Sequence, residues 1–478
     1  MGEKLRFTRT SRGQEKLIYD GYMYTKHRNQ RNGIIWRCDF RSECSVCITV
    51  SNDRQTVIKE PPEHSNHAPD WGRLQAREHI EELKEAASTS REPIASIMQK
   101  NVERVSSEAS MKMPKKETIK RTLRNVRKKN MPPEPRSIND LQNIPDRYTK
   151  TLDGDRWLLH YDPNSENKLI IFATDRHLRY LLDASYWIMD GTFKSSPNIF
   201  LQIYAIHVKI NDQWFPVILT LMERKTKQSY QILFTILKEE IQIKFDRTLN
   251  PTYISTDYES AVIDVIKAEF PHAEICGCLF HLSQSFWRRV QLEGISEEYQ
   301  REGNEELRAQ FHSLIGLAFV PEHDVVEAFD LLSDNADDLL SAIFDYVEDN
   351  YIRGRRRGRG HQRPLFPPKT WNCYQRTLQN LPRTKNSCEA WHRRINTLMG
   401  KPHPSFYHVV EQLQNEVAEI HRDITRLQSG FSPKKKKRKY INVDTRISRL
   451  VERYENFKDD GDILGYLRAI GHNIAGCF

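Results

Sequence analysis

Over the first seventy residues, apolar positions come in short runs broken by turn residues. Lys16-Leu-Ile-Tyr19, Tyr22-Met-Tyr24, Ile34-Ile-Trp-Arg-Cys38 and Cys47-Ile-Thr-Val50 are strand-sized and dominated by aromatic or β-branched side chains. The piece is too small to hold a good core alone, so the pattern predicts a β-rich module stapled by a metal. From about residue 72 to 136 the period becomes helical, with helices expected over 73–87, 92–105 (Pro93 near its first turn) and 115–129. In the last, Ile119, Leu123 and Val126 at i, i+4 and i+7 make one apolar stripe. Pro132-Pro133-Glu134-Pro135 ends the segment.

Between about 150 and 290 the pattern alternates. A hairpin over 156–161 and 169–174 leads to a buried strand at 186–190. Strands at 200–210 and 214–221 follow, joined by the turn Asn211-Asp212. Helix 227–241, strand 252–256, helix 258–270, strand 274–278 and helix 280–290 complete the series. Sequential strands followed by alternating helix and strand predict an α/β layer on a mixed sheet. Residues 291–370 read mainly as acidic amphipathic helix, for example 325–332 and 336–349. Two helical stretches, 387–428 and 443–470, flank a basic run, and there is no internal repeat.

Composition narrows the classes. The chain has 478 residues, with 73 Lys+Arg against 64 Asp+Glu, a net charge of +9. Its mean hydropathy is −0.69, and no stretch approaches the roughly 18 apolar residues a membrane span needs. The opening MGEKLRF has no hydrophobic signal core. A membrane protein, a secreted protein and a coiled-coil rod are excluded at this level, and the excess of base points to a polyanionic partner. Eight cysteines in this length are too sparse for a disulfide scaffold. Reduced thiols or metal ligands in an intracellular protein are expected instead.

Cys38-x5-Cys44 followed by His64-x2-His67 supplies two thiolates and two imidazoles, a donor set suited to one tetrahedral Zn²⁺. Cys47 is an alternative to Cys44 by spacing. Phe7, Leu17, Tyr22, Trp36, Cys38, Cys44, His64 and His67 stand in the order of the FLYWCH-type zinc finger, which residues 5–70 resemble. That resemblance implies a small β-rich zinc module that binds DNA or protein.

A second constellation is acidic. Asp190 ends the apolar run Trp187-Ile-Met-Asp190, and Asp257 ends Tyr253-Ile-Ser-Thr-Asp257. Functional groups gather at the carboxyl ends of strands in an open α/β sheet, and paired carboxylates there bind hard divalent cations. Each acid also has an ordinary structural use: Asp257 as a helix cap, Asp190-Gly191 as a turn, Glu389 as a capping partner of Asn386. Met189-Asp190-Gly-Thr-Phe193, Thr256-Asp257, Cys278-Leu-Phe-His281 and Asn386-x-x-Glu389-x-x-His392 together resemble the transposase domain of Mutator-like elements, the MULE family of DDE enzymes, over about residues 146–430.

The resemblance implies an RNase H-like α/β core with a helical insertion ahead of the last acid. The gaps, 257 − 190 = 67 and 389 − 257 = 132 residues, leave that insertion in the second interval. It carries over Asp190, Asp257 and Glu389 as the catalytic triad holding two Mg²⁺ (or Mn²⁺), with Cys278, His281 and His392 beside them. The chemistry implied is hydrolytic nicking followed by in-line attack of the freed 3′-hydroxyl on target DNA, by a dimer or larger assembly on paired ends. The presence of all three acids favours an active enzyme over a domesticated DNA-binding regulator with the same fold. A nuclease acting on RNA–DNA hybrids is a third reading with the same metal site.

Base-rich surface completes the picture. Lys115, Lys116, Lys120, Arg121, Arg124, Arg127 and Lys128 line the third expected helix, which with its two predecessors resembles a helix-turn-helix-like DNA reader. The loop carrying Arg355, Arg356, Arg357 and Arg359 is expected to contact phosphate. Lys434, Lys435, Lys436, Lys437, Arg438 and Lys439 read as a nuclear localisation signal. The expected organisation is a zinc finger (1–70), a basic helical segment (71–145), a first core part (146–290), a helical insertion (291–372), a last core part with Glu389 (373–430) and a basic run with helical tail (431–478). The partner expected throughout is double-stranded DNA, terminal inverted repeats and target, in the nucleus and away from membranes.

Overall fold

The computed structural model describes residues 5–9, 14–90, 92–100, 105–358, 360–433 and 437–475. It forms two compact units, Met1–Pro133 and Glu134–Phe478.

In the first unit β1 (Arg6–Arg9), β2 (Glu15–Tyr19), β3 (Tyr22–Gln30), β4 (Gly33–Cys38), β5 (Cys47–Val50) and β6 (Val57–Lys59) make an antiparallel meander in chain order. The β2–β3 turn places Asp20 and Gly21 at φ 47° and 75°, the left-handed pair that a tight hairpin requires. Leu17, Tyr24, Trp36, Ile48 and Val50 fill the meander's small core. Four helices follow: α1 (Trp71–Thr89), α2 (Ile94–Lys100), α3 (Ser107–Lys112) and α4 (Lys116–Asn130). Asp70 caps α1 by accepting from the Arg73 amide at 2.9 Å. Leu83, Ala87, Ile97, Ile119 and Leu123 close a second core between the helices. The helix expected over 92–105 stops at Lys100, and residues 101–104 lie outside the described residues. The six-residue α3 is too short to announce itself by periodicity.

The second unit is mixed α/β. Its elements begin β7 (Leu158–Tyr161), β8 (Leu169–Phe172), α5 (Asp175–Asp183), β9 (Tyr186–Thr192), β10 (Gln202–Ile210) and β11 (Gln213–Met222). They continue α6 (Lys227–Phe245), β12 (Tyr253–Thr256), α7 (Ser260–Glu269), β13 (Glu274–Gly277) and α8 (Leu279–Leu292). Among the described residues the strands form one 7-stranded sheet ordered β13-β12-β9-β10-β11-β8-β7. The pairs from β9 to β7 are antiparallel, whereas β12 runs parallel to β9 and β13 parallel to β12. Asn211 and Asp212, at φ 46° and 65°, turn β10 into β11 as expected. Alternation along β10 sends Ile203 and Ala205 to one layer and Tyr204 and Ile206 to the other.

After the sheet come α9 (Ser296–Gln300), α10 (Glu305–Gly316), α11 (Val325–Asp334), α12 (Ser341–Val347), the two-residue strands β14 (Arg356–Arg357) and β15 (Gly360–His361), α13 (Pro368–Trp371) and α14 (Tyr374–Leu378). The helix expected over 336–349 is a 3₁₀ turn, α12 and a π turn in succession. The stretch expected over 387–428 is two helices, α15 (Asn386–Met399) and α16 (Phe406–Gln428). They are separated where Gly400 takes φ 70° and Pro402 and Pro404 follow. α15 and the start of α16 cover one sheet face through Trp391, Ile395, Phe406 and Val410. On the opposite face, α5, α6, α7 and the end of α16 pack through Leu178, Leu237, Ile266 and Ile424.

The C-terminal helices α17 (Arg438–Glu452), α18 (Tyr454–Asp459) and α19 (Ile463–Ile474) are no loose appendage. Val451, Tyr454, Tyr466 and Ile470 share one core with Phe286, Phe311, Phe329 and Phe344. No helix of the described residues is long and apolar enough to cross a membrane.

Candidate functional site

Two clusters carry chemistry. In the first unit Cys38 ends β4, Cys44 lies in the following loop, and His64 and His67 come after β6. Cys38 Sγ is 3.3 Å from His67 Nε2, Cys44 Sγ 3.3 Å from His64 Nδ1, and the two imidazoles 3.2 Å apart. Such separations are the edges of a tetrahedron with bonds of about 2.0–2.3 Å, the Zn²⁺ geometry. Among the described residues these four form the one group of three or more His, Cys, Asp or Glu with all ligand atoms within 4.8 Å of one another. Cys47 stands outside it, its thiol 3.5 Å from the Ser45 carbonyl. The Tyr24 hydroxyl lies 2.9 Å from His64 Nε2, and Tyr22 stacks on the same ring at 3.8 Å. These contacts fix the ring so that Nδ1 faces the cluster.

The second cluster is built by register. β12 pairs parallel with β9 through Ser255 opposite Ile188, and two residues further along each strand direction stand Asp257 and Asp190. The acids therefore meet side by side at the strands' carboxyl ends. Gly191 keeps the strand close to its neighbour, because a Cβ there would collide with the Gln202 side chain. Over this edge lies the start of α15. Lys385 at its N-cap, Glu389 in its first turn and His392 one turn on follow i, i+4, i+7 spacing along one helix face.

Lys385 is the feature the sequence reading missed. Its side chain is 0% exposed, its Nζ 3.2 Å from Asp190 Oδ1 and in an ion pair with Asp257. From α8, His281 Nδ1 reaches Asp257 Oδ1 at 3.0 Å, and His392 Nδ1 is 3.7 Å from Asp190 Oδ2. Cys278 is the buried N-cap of α8, three residues before His281. Glu389 Oε1 is buried and bonds none of the described residues. The Glu389 carboxylate is close enough for His281 and Asp190 to act on its charge.

The electrostatics separate the two aspartates. Burial, then repulsion by Asp257, raises Asp190 in spite of Lys385. Burial also opposes ionisation of Asp257, but Lys385 and His281 outweigh it and hold that carboxyl low. His281, desolvated yet paired with Asp257, is pushed up to about 10. Burial and then Lys385 push His392 down to about 4, leaving it neutral. Burial raises Glu389.

The basic surfaces divide. Lys115, Lys116, Arg121, Arg124 and Lys128 are exposed on or beside α4. Lys120 is half-buried and pairs with Glu117, and Arg127 bonds the Ala87 and Glu92 carbonyls, holding α4 to the end of α1. Arg355, Arg356 and Arg357 are exposed around β14. Arg353 is tied back to Asp330 and Glu348. Arg359, Lys434, Lys435 and Lys436 lie outside the described residues, while Lys437, Arg438 and Lys439 lead exposed into α17.

Comparison with known families finds two matching domains. Residues 7–67 match the FLYWCH zinc finger domain, a span that holds all four candidate zinc ligands. Residues 186–285 match the MULE transposase domain, a span that holds Asp190, Asp257, Cys278 and His281 and stops short of Lys385 and Glu389. No curated protein matches the chain. The chain carries an N-terminal FLYWCH zinc finger domain and a MULE transposase domain.

Proposed function

We propose that the protein is a DNA transposase of the Mutator-like DDE class, in which Asp190, Asp257 and Glu389 form the catalytic site on an RNase H-like core. The observation that carries this reading is the parallel β12–β9 register, which sets Asp257 beside Asp190 beneath the turn of α15 that holds Glu389. Within the sheet, β9, β10 and β11 pair antiparallel and β12 and β13 continue parallel beside β9, an order that supports the core assignment.

The residues present suit a hard divalent cation. Asp190 and Asp257 already converge on one cationic atom, and Glu389 contributes a buried carboxylate oxygen without a partner among the described residues. A bound Mg²⁺ or Mn²⁺ supplies Lewis-acid stabilisation at a phosphodiester. The chain's own residues do the rest. His281 braces Asp257, His392 stands neutral beside Asp190, and the exposed base of α4 and β14 supplies phosphate contacts. Duplex DNA, element ends and target, is the proposed partner. A dimer or larger assembly is the proposed form, and the basic run 434–439 the proposed nuclear address.

The Lys385 ammonium between the first two acids favours one second reading, a DNA-binding regulator that keeps the fold without cutting. Cleavage and strand transfer on DNA carrying the gene's own flanks, in Mg²⁺, distinguish them. The transposase reading expects wild type to cut and join, while Asp190→Asn and Glu389→Gln bind but do not cut. Equal binding by all three with no cutting, on complete ends, would move the regulator ahead.

A further inference from the structure

Lys385 is placed as a ligand is placed. An ammonium has three N–H donors, and around this one stand three oxygens: Asp190 Oδ1 at 3.2 Å, Asp257 Oδ1 in an ion pair, and the Met189 carbonyl at 3.3 Å. No part of the side chain is exposed. The lysine comes to these groups from a different part of the chain, 128 residues beyond Asp257. Its backbone is the N-cap of the helix whose first turn bears Glu389, and no side-chain bond caps that helix. The stem is a flexible chain of four carbons, so the ammonium can leave without moving α15.

A divalent ion bridging Asp190 and Asp257 needs the same oxygen lone pairs. Two cations within a few ångström of each other in a buried site repel strongly. They cannot share the position.

We infer that Lys385 is an internal cation that gates divalent-ion occupancy of the Asp190–Asp257 pair: the ion enters only as the ammonium swings out. This rests on the reading of the acids as a divalent-cation site. While it occupies that position the lysine keeps the carboxylates from repelling each other and holds the edge of β9, β12 and α15 together. Negative charge arriving nearby, as on a DNA phosphate, gives the displaced ammonium a partner and so couples ion entry to DNA.

The test is Mn²⁺ binding by the full-length, zinc-loaded protein, read from the loss of the free-ion electron paramagnetic resonance signal. Lys385→Met should bind Mn²⁺ at least about tenfold tighter than wild type, about 1.4 kcal/mol. Adding Asp190→Asn to it should abolish the gain. If Lys385→Met binds no tighter while Asp190→Asn weakens wild-type binding, the gate is overturned and the metal-site reading stands. If neither wild type nor Lys385→Met shows Asp190-dependent binding, both fail together. A wild-type measurement guards against misfolding of the variant. Amine labelling read by peptide mass spectrometry should find Lys385 protected without divalent ion and reactive with saturating Mg²⁺ and flank DNA. Equal protection in both states would also overturn the gate.

Discussion

The hydroxyl of Tyr24, 2.9 Å from His64 Nε2, shows how one polar contact orients a ring: with that nitrogen engaged, Nδ1 is the one turned to Cys44 and His67. The finger's fate is expected to follow from its four candidate ligands. His64→Ala should release zinc and unfold the β meander, because its core is too small to persist unaided. Cys47→Ser should keep one zinc per chain. Metal analysis and circular dichroism of the two variants check both outcomes, and retained zinc in His64→Ala would contradict the assignment.

Arg376 makes the same point without a metal. It is buried and donates to the carbonyls of Asn372 (2.9 Å), Gly277 (3.1 Å) and Trp371 (3.2 Å). These bonds tie α14 to the end of β13, immediately before Cys278 and His281. Arg376→Leu leaves several buried carbonyls unpaired, at about 1–3 kcal/mol each. It should lower the thermal midpoint of the second unit sharply, whereas Arg355→Leu, on an exposed side chain, should not.

Among the elements, α4 has two faces with separate tasks. Ile119 and Leu123 are buried against α1 and α2, while Lys116, Arg121 and Arg124 face solvent. Replacing those three bases by Ala should weaken duplex-DNA binding and lower the salt slope by about 2–3, near 0.9 per lost phosphate contact. An unchanged slope would make α4 a solvated face only. Leu123→Ala should instead cost about 2–5 kcal/mol of stability.

The elements also show what the chain makes legible. Apolar runs and the Asn211-Asp212 turn announced β9 to β13 because each signal lies within a few consecutive residues. Cys38, Cys44, His64 and His67 were legible through ligand chemistry and spacing. α5 was overlooked although Leu178, Leu181 and Leu182 carry helical spacing, because charged residues interrupt them and the segment is only nine residues long. Arg127 looks like any base on a basic helix, yet its partners are the carbonyls at the end of α1 and just beyond it. Lys385 was invisible for the same reason. Its meaning comes from two acids more than a hundred residues away, which only the parallel register brings beneath it.

For the second unit as a whole, the chain's end completes what its middle begins. Asp324, just before α11, accepts from Lys458 Nζ at 2.7 Å and from the Tyr454 hydroxyl at 3.0 Å, both on α18. Burial opposes ionisation here, yet the bonds from Lys458 and Tyr454 hold Asp324 below the ordinary carboxylate range. A carboxyl with a lower pKa folded than unfolded stabilises fully above about pH 4 and loses that contribution as pH falls through its folded value. Asp324→Asn should therefore destabilise the helical body by about 1–3 kcal/mol at pH 7, and the difference from wild type should shrink near pH 3. Thermal melts at the two pH values check this, and a difference that persists in acid would contradict it.

The proposal for the whole molecule is that Asp190, Asp257 and Glu389 hold divalent ions on DNA. Anomalous diffraction at the manganese edge, from the protein bound to its own flank DNA, tests that most directly. The account predicts density touching all three carboxylates, with the Lys385 ammonium displaced from between the first two. Ordered DNA over the site, no manganese there, and Lys385 still paired to both aspartates would contradict it.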